Sequence, residues 1–467
     1  MTQDESRDVI VVGGGPAGSS AATWLARRGH DVLLLERERF PRDHVGESML
    51  PFCYRLFEDL GVLPKLRSSF VRKPGVRFMS KDGSVFTSWC FSHVIHDHTY
   101  LSFQVNRAEF DTILLDNAAA CGAEVRQETR VSDFDLLDGE TVSVRSVDAA
   151  GVERTHRARF LIDASGRDAI VGTRKGWRAP RPELDRTALW SHWTGVEMAG
   201  GLEEGMSLIL YMGGEKKGWI WIFPLGEDRV TAGAVMSNAY LREQHRALTR
   251  SGAPNWQQDL MMQELTASPF AAGLLDGAEQ ALPTQVNGNY SYEVKHHFGS
   301  NYAMIGDARG FIDPIFSSGV FLSIKTASLV CAALDGVLKG DPDGGARMAA
   351  AYGLVTGAYE FVHRMIRLFY SPFTVTWAQV GAESEVHKAH ESAMAAGHYM
   401  LAGDFFENHE RYNKFFELLE NPKGFHRYAK LVLEKSEVVD TSCHVPWERA
   451  FGELGRPTES LTGPEAR

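Results

Sequence analysis

Short apolar runs separated by glycines open the chain, and their spacing predicts a β-α-β unit. Asp8 to Val12 reads as a strand, a glycine cluster follows, Ala17 to Arg28 has helical patterning, and Asp31 to Leu35 is a second strand ending at Glu36. Phe110 to Ala120 reads as a helix with Leu114 and Leu115 on its apolar side, leading to a strand near Ala123 to Arg126. Arg159 to Asp163 is another strand candidate, ending in Ala-Ser-Gly. From about 175 to 300 strict alternation takes over, as in Ser207–Tyr211, Trp219–Phe223 and Val230–Val235. That change predicts an antiparallel sheet inserted between parts of a nucleotide-binding domain. Met304 to Gly306 returns to strand-then-loop, and Val320 to Val337 to a long helix. Beyond about 345 the pattern is helical and rich in aromatics. The expected fold class is α/β (α+β): residues 1–340 form a nucleotide-binding domain carrying the inserted sheet, and 341–467 a mainly helical C-terminal region.

Composition narrows the function classes. A chain of 467 residues with 44% hydrophobic and 23% charged positions can bury a large core in two or three structural units. Its formal net charge of −11 argues against a nucleic-acid partner, which calls for a basic face. Cys53, Cys90, Cys121, Cys331 and Cys443 are scattered and odd in number, without a C-x-x-C pair, so reduced thiols are expected rather than a disulfide framework. The start, Met-Thr-Gln-Asp-Glu-Ser, is acidic and polar, unlike a signal peptide, and Asp313 and Lys325 interrupt the longest apolar stretches too early for a membrane span. A soluble, cytoplasmic protein without a membrane partner is the expectation.

Gly13-Gly14-Gly15-Pro16-Ala17-Gly18 is G-x-G-x-x-G placed between strand and helix. Gly13 permits the tight turn, Gly15 lets backbone approach a pyrophosphate, and Gly18 allows close helix–strand packing. The pyrophosphate then sits at the helix N-terminus opened by Pro16 and Ala17, where the free N–H groups of the first turn and the dipole favour negative charge. Glu36, 18 residues after Gly18 and followed by Arg37, stands where an acid can accept bonds from ribose hydroxyls. NAD and FAD share this fingerprint. Two later segments favour FAD: Asp163-Ala164-Ser165-Gly166 and Gly306-Asp307-Ala308, each after a strand, resemble motifs of the Rossmann-like FAD-binding fold of aromatic hydroxylases. That resemblance implies that Asp307 binds the ribityl chain and that Arg107, after Phe103-Gln104-Val105-Asn106, touches the cofactor. Taken by itself, each aspartate could instead cap a helix. There is no second G-x-G-x-x-G after a strand: Gly213-Gly214 and Gly344-Gly345 read as turns. Either NAD(P)H meets the flavin fleetingly, or a separate NAD(P)H-dependent flavin reductase delivers reduced flavin.

Four further segments resemble flavin-dependent halogenases. Trp219-Ile220-Trp221-Ile222-Phe223-Pro224 is similar to W-x-W-x-I-P, with Phe223 in place of isoleucine. Gly46-Glu47-Ser48 with Leu50-Pro51 resembles G-E-S-x-L-P, Gly306 to Gly319 resembles the family's second flavin motif through Pro314, and Tyr290-Ser291-Tyr292 its Y-S-Y. The resemblance spans residues 8 to 335 and implies FADH2, O2 and chloride or bromide as reactants, with hypohalous acid the product made beside the flavin. It implies that backbone N–H groups of Ser318 and Gly319 bind the halide, at a turn opening a helix that suits an anion. It also implies that Trp219 and Trp221 wall off the flavin. Strand alternation puts them on one face with Phe223, and Ile220 and Ile222 on the other; a plain aromatic core strand has the same pattern.

A lysine delivers the hypohalous acid in this family, by hydrogen bonding or as a chloramine. The candidate is Lys73 in Phe70-Val71-Arg72-Lys73-Pro74-Gly75-Val76-Arg77-Phe78, similar to F-x-x-K-x-G-x-x-F of halogenases acting on phenols and carrier-bound pyrroles. Lysines are ordinarily solvated, as Lys65 and Lys81 are read here; a dry site favours the neutral amine. Tryptophan halogenases carry a glutamate where Phe316 stands, so an electron-rich phenol, or a pyrrole or other aromatic tethered to a carrier protein in secondary metabolism, is expected rather than free tryptophan. Arg67, Arg72, Lys73 and Arg77 offer local positive charge for an acidic carrier. His93-x-x-His96-Asp97-His98 and His296-His297 read as surface loops rather than metal sites. Tyr352, Tyr359, Phe361, Phe369, Tyr370, Phe373 and Trp377 read as core packing or as pocket lining. Rival readings are an aromatic hydroxylase or geranylgeranyl-reductase-like oxidoreductase, and a non-catalytic FAD-binding module.

Overall fold

The computed structural model describes residues 6–137, 141–213, 216, 218–288, 291–370, 391–419, 443 and 445–456. Ser6–Val12 is a central parallel strand between Val32–Leu35 and Glu153–Asp163. Val9 to Val12 and Val32 to Leu35 are buried on both faces, which is why these strands are continuous apolar runs without alternation. Among the described residues this sheet has seven strands. Glu124–Arg126 extends one edge, and Val142–Asp148 and Thr129–Asp135 the other as an antiparallel meander. Tyr302–Met304 joins in parallel beside Glu153–Asp163, so the second flavin motif returns to the same sheet.

Helices cover one side. Pro16–Arg27 packs on Arg107–Ala120 and on Gly319–Leu338, and the latter packs on Gly344–Tyr370. Gly319–Leu338 is long and apolar enough to cross a membrane by composition, and Phe321, Ile324, Val330 and Leu334 on it belong to the main core.

A second sheet, eight-stranded among the described residues, contains the expected strands at Ser207–Tyr211, Trp219–Pro224 and Val230–Ser237, with Arg186–Thr194 beyond them. It differs from the expected insert in two respects. Gly75–Met79 and Phe86–Cys90, well before residue 175, complete it, and Gly75–Met79 pairs with Ser207–Tyr211 in parallel. Helices Asn238–Arg250, Trp256–Thr266 and Pro269–Leu274 also interrupt the segment and cover its outer face. The sheet therefore brings the chain just after Lys73 alongside the tryptophan strand.

The cysteine expectation is corrected: Cys90 and Cys443, 353 positions apart in sequence, form a disulfide with Cα atoms 5.6 Å apart. Spacing cannot reveal such a pair, because the fold alone brings the partners together. Cys53, Cys121 and Cys331 are free.

Candidate active site

The glycine loop behaves as its spacing implies. Gly13 has φ +103°, and a Cβ there would lie 2.3 Å from the Ala164 carbonyl oxygen; a Cβ on Gly18 would lie 1.9 Å from that of Gly13. Turn and helix are thus locked onto the ends of two strands. A Cβ on Gly15 would meet a guanidinium nitrogen of Arg42 at 3.6 Å and nothing nearer, leaving the backbone open to a phosphate. Pro16 opens the helix and Ala17 is buried beneath it. Glu36 is buried, its two oxygens accepting from the amides of Gly14 (2.6 Å) and Glu38 (2.8 Å), so the acid also braces the loop it serves. Arg37 is exposed and paired with Asp168.

Sequence reasoning missed Arg42. It lies over the Phe40 ring at 4.7 Å and 3.5 Å from Asp111, and a lone arginine six residues after Glu36 carries no recognisable signal. Arg107 is buried, forked onto Asp111 at 2.8 and 2.9 Å, and donates to Val45 O at 2.7 Å. Its charge and that of Arg167 pull the Asp307 pKa down, but desolvation is larger and pushes it up to about 6. Asp163 differs from its expected part. Its buried carboxylate accepts from Ser165 N, Ser165 Oγ and Val171 N, so the local capping alternative describes it, and it shapes the Gly166 turn (φ +63°) from beneath. Tyr292 ties the two flavin motifs together by donating to Asp307 O at 2.6 Å. Tyr290 lies outside the described residues.

Glu47 and Ser48 reach across to the large sheet. Glu47 meets His192 at 2.5 Å with both side chains buried, and Ser48 Oγ lies 3.0 Å from Ser207 Oγ. His192, which sequence reasoning also missed, sits on a strand with no motif around it.

The alternation of the tryptophan strand holds. Trp219, Trp221 and Phe223 join the main core, while Ile220 and Ile222 join the cluster on the outer face. Gly233, opposite Trp221, makes room: a Cβ there would lie 2.5 Å from both Trp190 and the Trp221 ring. Trp219 Nε1 donates to Tyr370 Oη at 2.8 Å, and Tyr370 Oη donates to Asp313 at 2.9 Å. Asp313 in turn caps Ile315 N at the loop that runs through Pro314 to Ser318. Ser317 has φ +54°, and the turn it makes points the chain into the helix beginning at Gly319, whose first amides lack intrahelical acceptors. Gly319 has open space where a Cβ would be.

Lys73 is 2% exposed, unlike Lys65 and Lys81. Its ammonium donates to Met49 O at 3.1 Å and lies 5.4 Å from the Phe91 ring centroid. Burial lowers its pKa to about 7. Lys73, Ser207, Phe316 and Ser317 line one cavity of about 10 Å³, roofed by Leu401. The expected basic patch is corrected: Arg72 is buried with Lys73, Arg67 is forked onto Glu453, and Arg77 is held by Gly200 O and Ser88. Four charges within eleven residues look clustered in sequence, but here they turn inward or pair. Tyr352 and Tyr359 are buried and donate to the Met304 and Gly306 carbonyls, supporting the second flavin motif from outside; Phe373 and Trp377 lie outside the described residues. His93, His96, Asp97 and His98 are exposed loop residues.

Glycine loop, Glu36, Arg42, Arg107 and Asp307 together fit a flavin dinucleotide, and residues 6–351 match the FAD binding domain family, to which the chain belongs. Within it, the chain is a member of the flavin-dependent halogenases. It is 33% identical over 348 residues to flavin-dependent halogenase armH3 of Armillaria mellea, covering 71% of this chain and 68% of that one. It is 31% identical to tryptophan 2-halogenase of Chondromyces crocatus (83% and 70% covered) and 27% identical to a 1H-pyrrole-2-carbonyl-[peptidyl-carrier protein] chlorinase of Pseudomonas fluorescens (79% and 84%). Another Armillaria halogenase, armH1, is matched over 66% of its length. Among solved structures, a flavin-dependent brominase superposes with TM-score 0.73 at 26% identity, over 88% of this chain and 99% of that one. The myxobacterial chondrochloren halogenase superposes with TM-score 0.71 at 27% identity (92% and 97%).

Proposed function

We propose that this enzyme halogenates an electron-rich aromatic, a phenol or a carrier-tethered pyrrole or related ring, using hypohalous acid delivered through Lys73. The observation that carries the reading is the single cavity shared by Lys73 and the Ser317 loop. When bound, reduced FAD and O2 supply the oxidising power that turns chloride or bromide into hypohalous acid. The amides of Ser318 and Gly319 suit the halide, since a helix of 20 residues begins there and its N-terminal dipole favours an anion. Arg42 and Arg107 hold the phosphate side of the cofactor, and Asp307 accepts from its ribityl hydroxyls. The rings of Trp219, Trp221 and Phe223 exclude water. With a pKa near 7, Lys73 offers both an ammonium that donates to the oxygen of hypohalous acid and an amine that attacks its halogen.

Phe316 on the cavity wall supplies no base, which favours rings nucleophilic enough without one. The pyrrole-carrier chlorinase among the relatives supports this class. The relative named a tryptophan 2-halogenase makes indole a necessary member of the test panel. A separate flavin reductase completes the system. With reductase, NADH, bromide or chloride, and a panel of free and carrier-tethered phenols, pyrroles and indoles, halide-dependent product is expected, and Lys73→Ala should lose it while retaining FAD. A hydroxylated product made without halide would replace this reading with a hydroxylase.

A further inference from the structure

We propose that Ser207 and Gln104 form, with Lys73, the seat that holds hypohalous acid before it reaches the organic substrate; this rests on the halogenase reading above. Ser207 is 1% exposed and lines the cavity beside Lys73. Gln104 Nε2 donates to Ser207 Oγ at 2.8 Å and to Gly205 O at 3.3 Å. The Gly205 carbonyl can accept only from an N–H, so it fixes which way round the amide sits. Ser207 therefore receives from Gln104 and shares a 3.0 Å hydrogen bond with Ser48 in which either hydroxyl can donate; when Ser48 donates, the Ser207 proton is free for the cavity.

Two acceptors around this cluster are left over. Gln104 is fully buried, and its Oε1 has no hydrogen-bond partner among the described residues. Ser102 pairs with Lys73 across the two-stranded ladder Val71–Lys73 and Ser102–Gln104, and its hydroxyl, 1% exposed, is likewise unpartnered. Directly opposed residues share a face, as do residues two apart, so Lys73, Ser102 and Gln104 lie on one side of the ladder. Unsatisfied buried polar atoms are rare in folded proteins and point to an occupant. The cavity has room for about one water-sized molecule.

Hypohalous acid matches the polar chemistry of the cluster, and its halogen, larger than a hydrogen of water, requires the side chains around the cavity to give way. Its oxygen accepts from the Ser207 hydroxyl and the Lys73 ammonium, and its halogen suits apolar walls such as Val76 and Ile209, while Gln104, behind the lining, orients Ser207. No bond is made or broken at this seat. Ser207 and Gln104 are positioning residues for a molecule made at the Ser317 loop and used beyond Lys73.

The test compares wild type, Ser207→Ala and Gln104→Met, each with FAD, reductase, halide and a productive substrate, plus a bulk scavenger such as monochlorodimedone. In the variants, product should fall about tenfold relative to trapped hypohalite while the FAD spectrum stays unchanged. A crystal of wild type should show an ordered water between Ser207 Oγ and Lys73 Nζ, absent from Ser207→Ala. An unchanged product-to-trapped ratio, a parallel fall in both, or a dry cavity in wild type overturns the proposal. Wild type that oxidises no halide at all overturns the halogenase reading as well.

Discussion

Replacing Lys73 by methionine is expected to abolish halogen transfer and, at neutral pH, to make the protein more stable. Lys73 is 2% exposed, and burial drags its pKa from 10.5 to about 7. At about 1.4 kcal/mol per pH unit, keeping the lysine buried costs the fold about 5 kcal/mol. Methionine removes that cost and fills similar space. It forfeits the hydrogen bond to Met49 O and the approach to the Phe91 ring, together about 2 kcal/mol. The net gain is about 3 kcal/mol. Below about pH 7 the lysine is charged in both folded and unfolded chains, so the full cost stands. Between about 7 and 10.5 the unfolded chain still binds the proton while the folded one has released it, so the cost shrinks as pH rises. Urea unfolding of the FAD-bound proteins, followed by tryptophan fluorescence at about pH 6, 8 and 9.5, measures the difference. The stability gap should be widest at the lowest pH and narrow by up to about 1.4 kcal/mol per unit above neutrality. A methionine variant no more stable than wild type, or a gap that stays constant across this range, refutes the reasoning.

Asp307→Ala should weaken FAD binding by about 1.5–3 kcal/mol, tenfold or more, as a lost charge-assisted hydrogen bond does, measured by flavin fluorescence on release. Gly233→Ala places a Cβ 2.5 Å from Trp190 and the Trp221 ring, so overpacking of about 1–3 kcal/mol should lower the urea midpoint and alter tryptophan emission. Cys443→Ser opens the crosslink to Cys90 across 353 residues and should cost about 2–5 kcal/mol, while thiol titration of the unreduced, unfolded wild type should count three free cysteines.

Much of the nucleotide half was legible because its cues are local. The glycine loop, Glu36 and the two later motifs each follow a strand, and the buried strands Val9–Val12 and Val32–Leu35 read directly as apolar runs. The tryptophan strand was legible for the same reason, since alternation alone separates Trp219 and Trp221 from Ile220 and Ile222. What escaped depends on contacts between distant segments. Gly75–Met79 and its neighbour Phe86–Cys90 join a sheet whose remaining strands lie about a hundred residues further on, and the parallel partner, Ser207–Tyr211, gives no sign of the pairing. Arg42 and His192 have no flanking pattern, because what makes them notable is the company of Gly15 and Glu47 in space. Lys73 was singled out by the segment around it, but Arg72 read as local surface charge because charge is ordinarily solvated, and two adjacent buried cations invert that rule. The pair Cys90 and Cys443 escaped likewise, each lying in unremarkable sequence.

Tyr370 has a practical corollary for anyone recombining these enzymes. Its phenol reaches Trp219 with one lone pair and Asp313 with its proton, so a residue at the end of a long helix is stitched to two distant motifs at once. A chimera that imports a foreign C-terminal segment to accept a new aromatic should therefore keep residues through 370 from this parent and place its junction after that position.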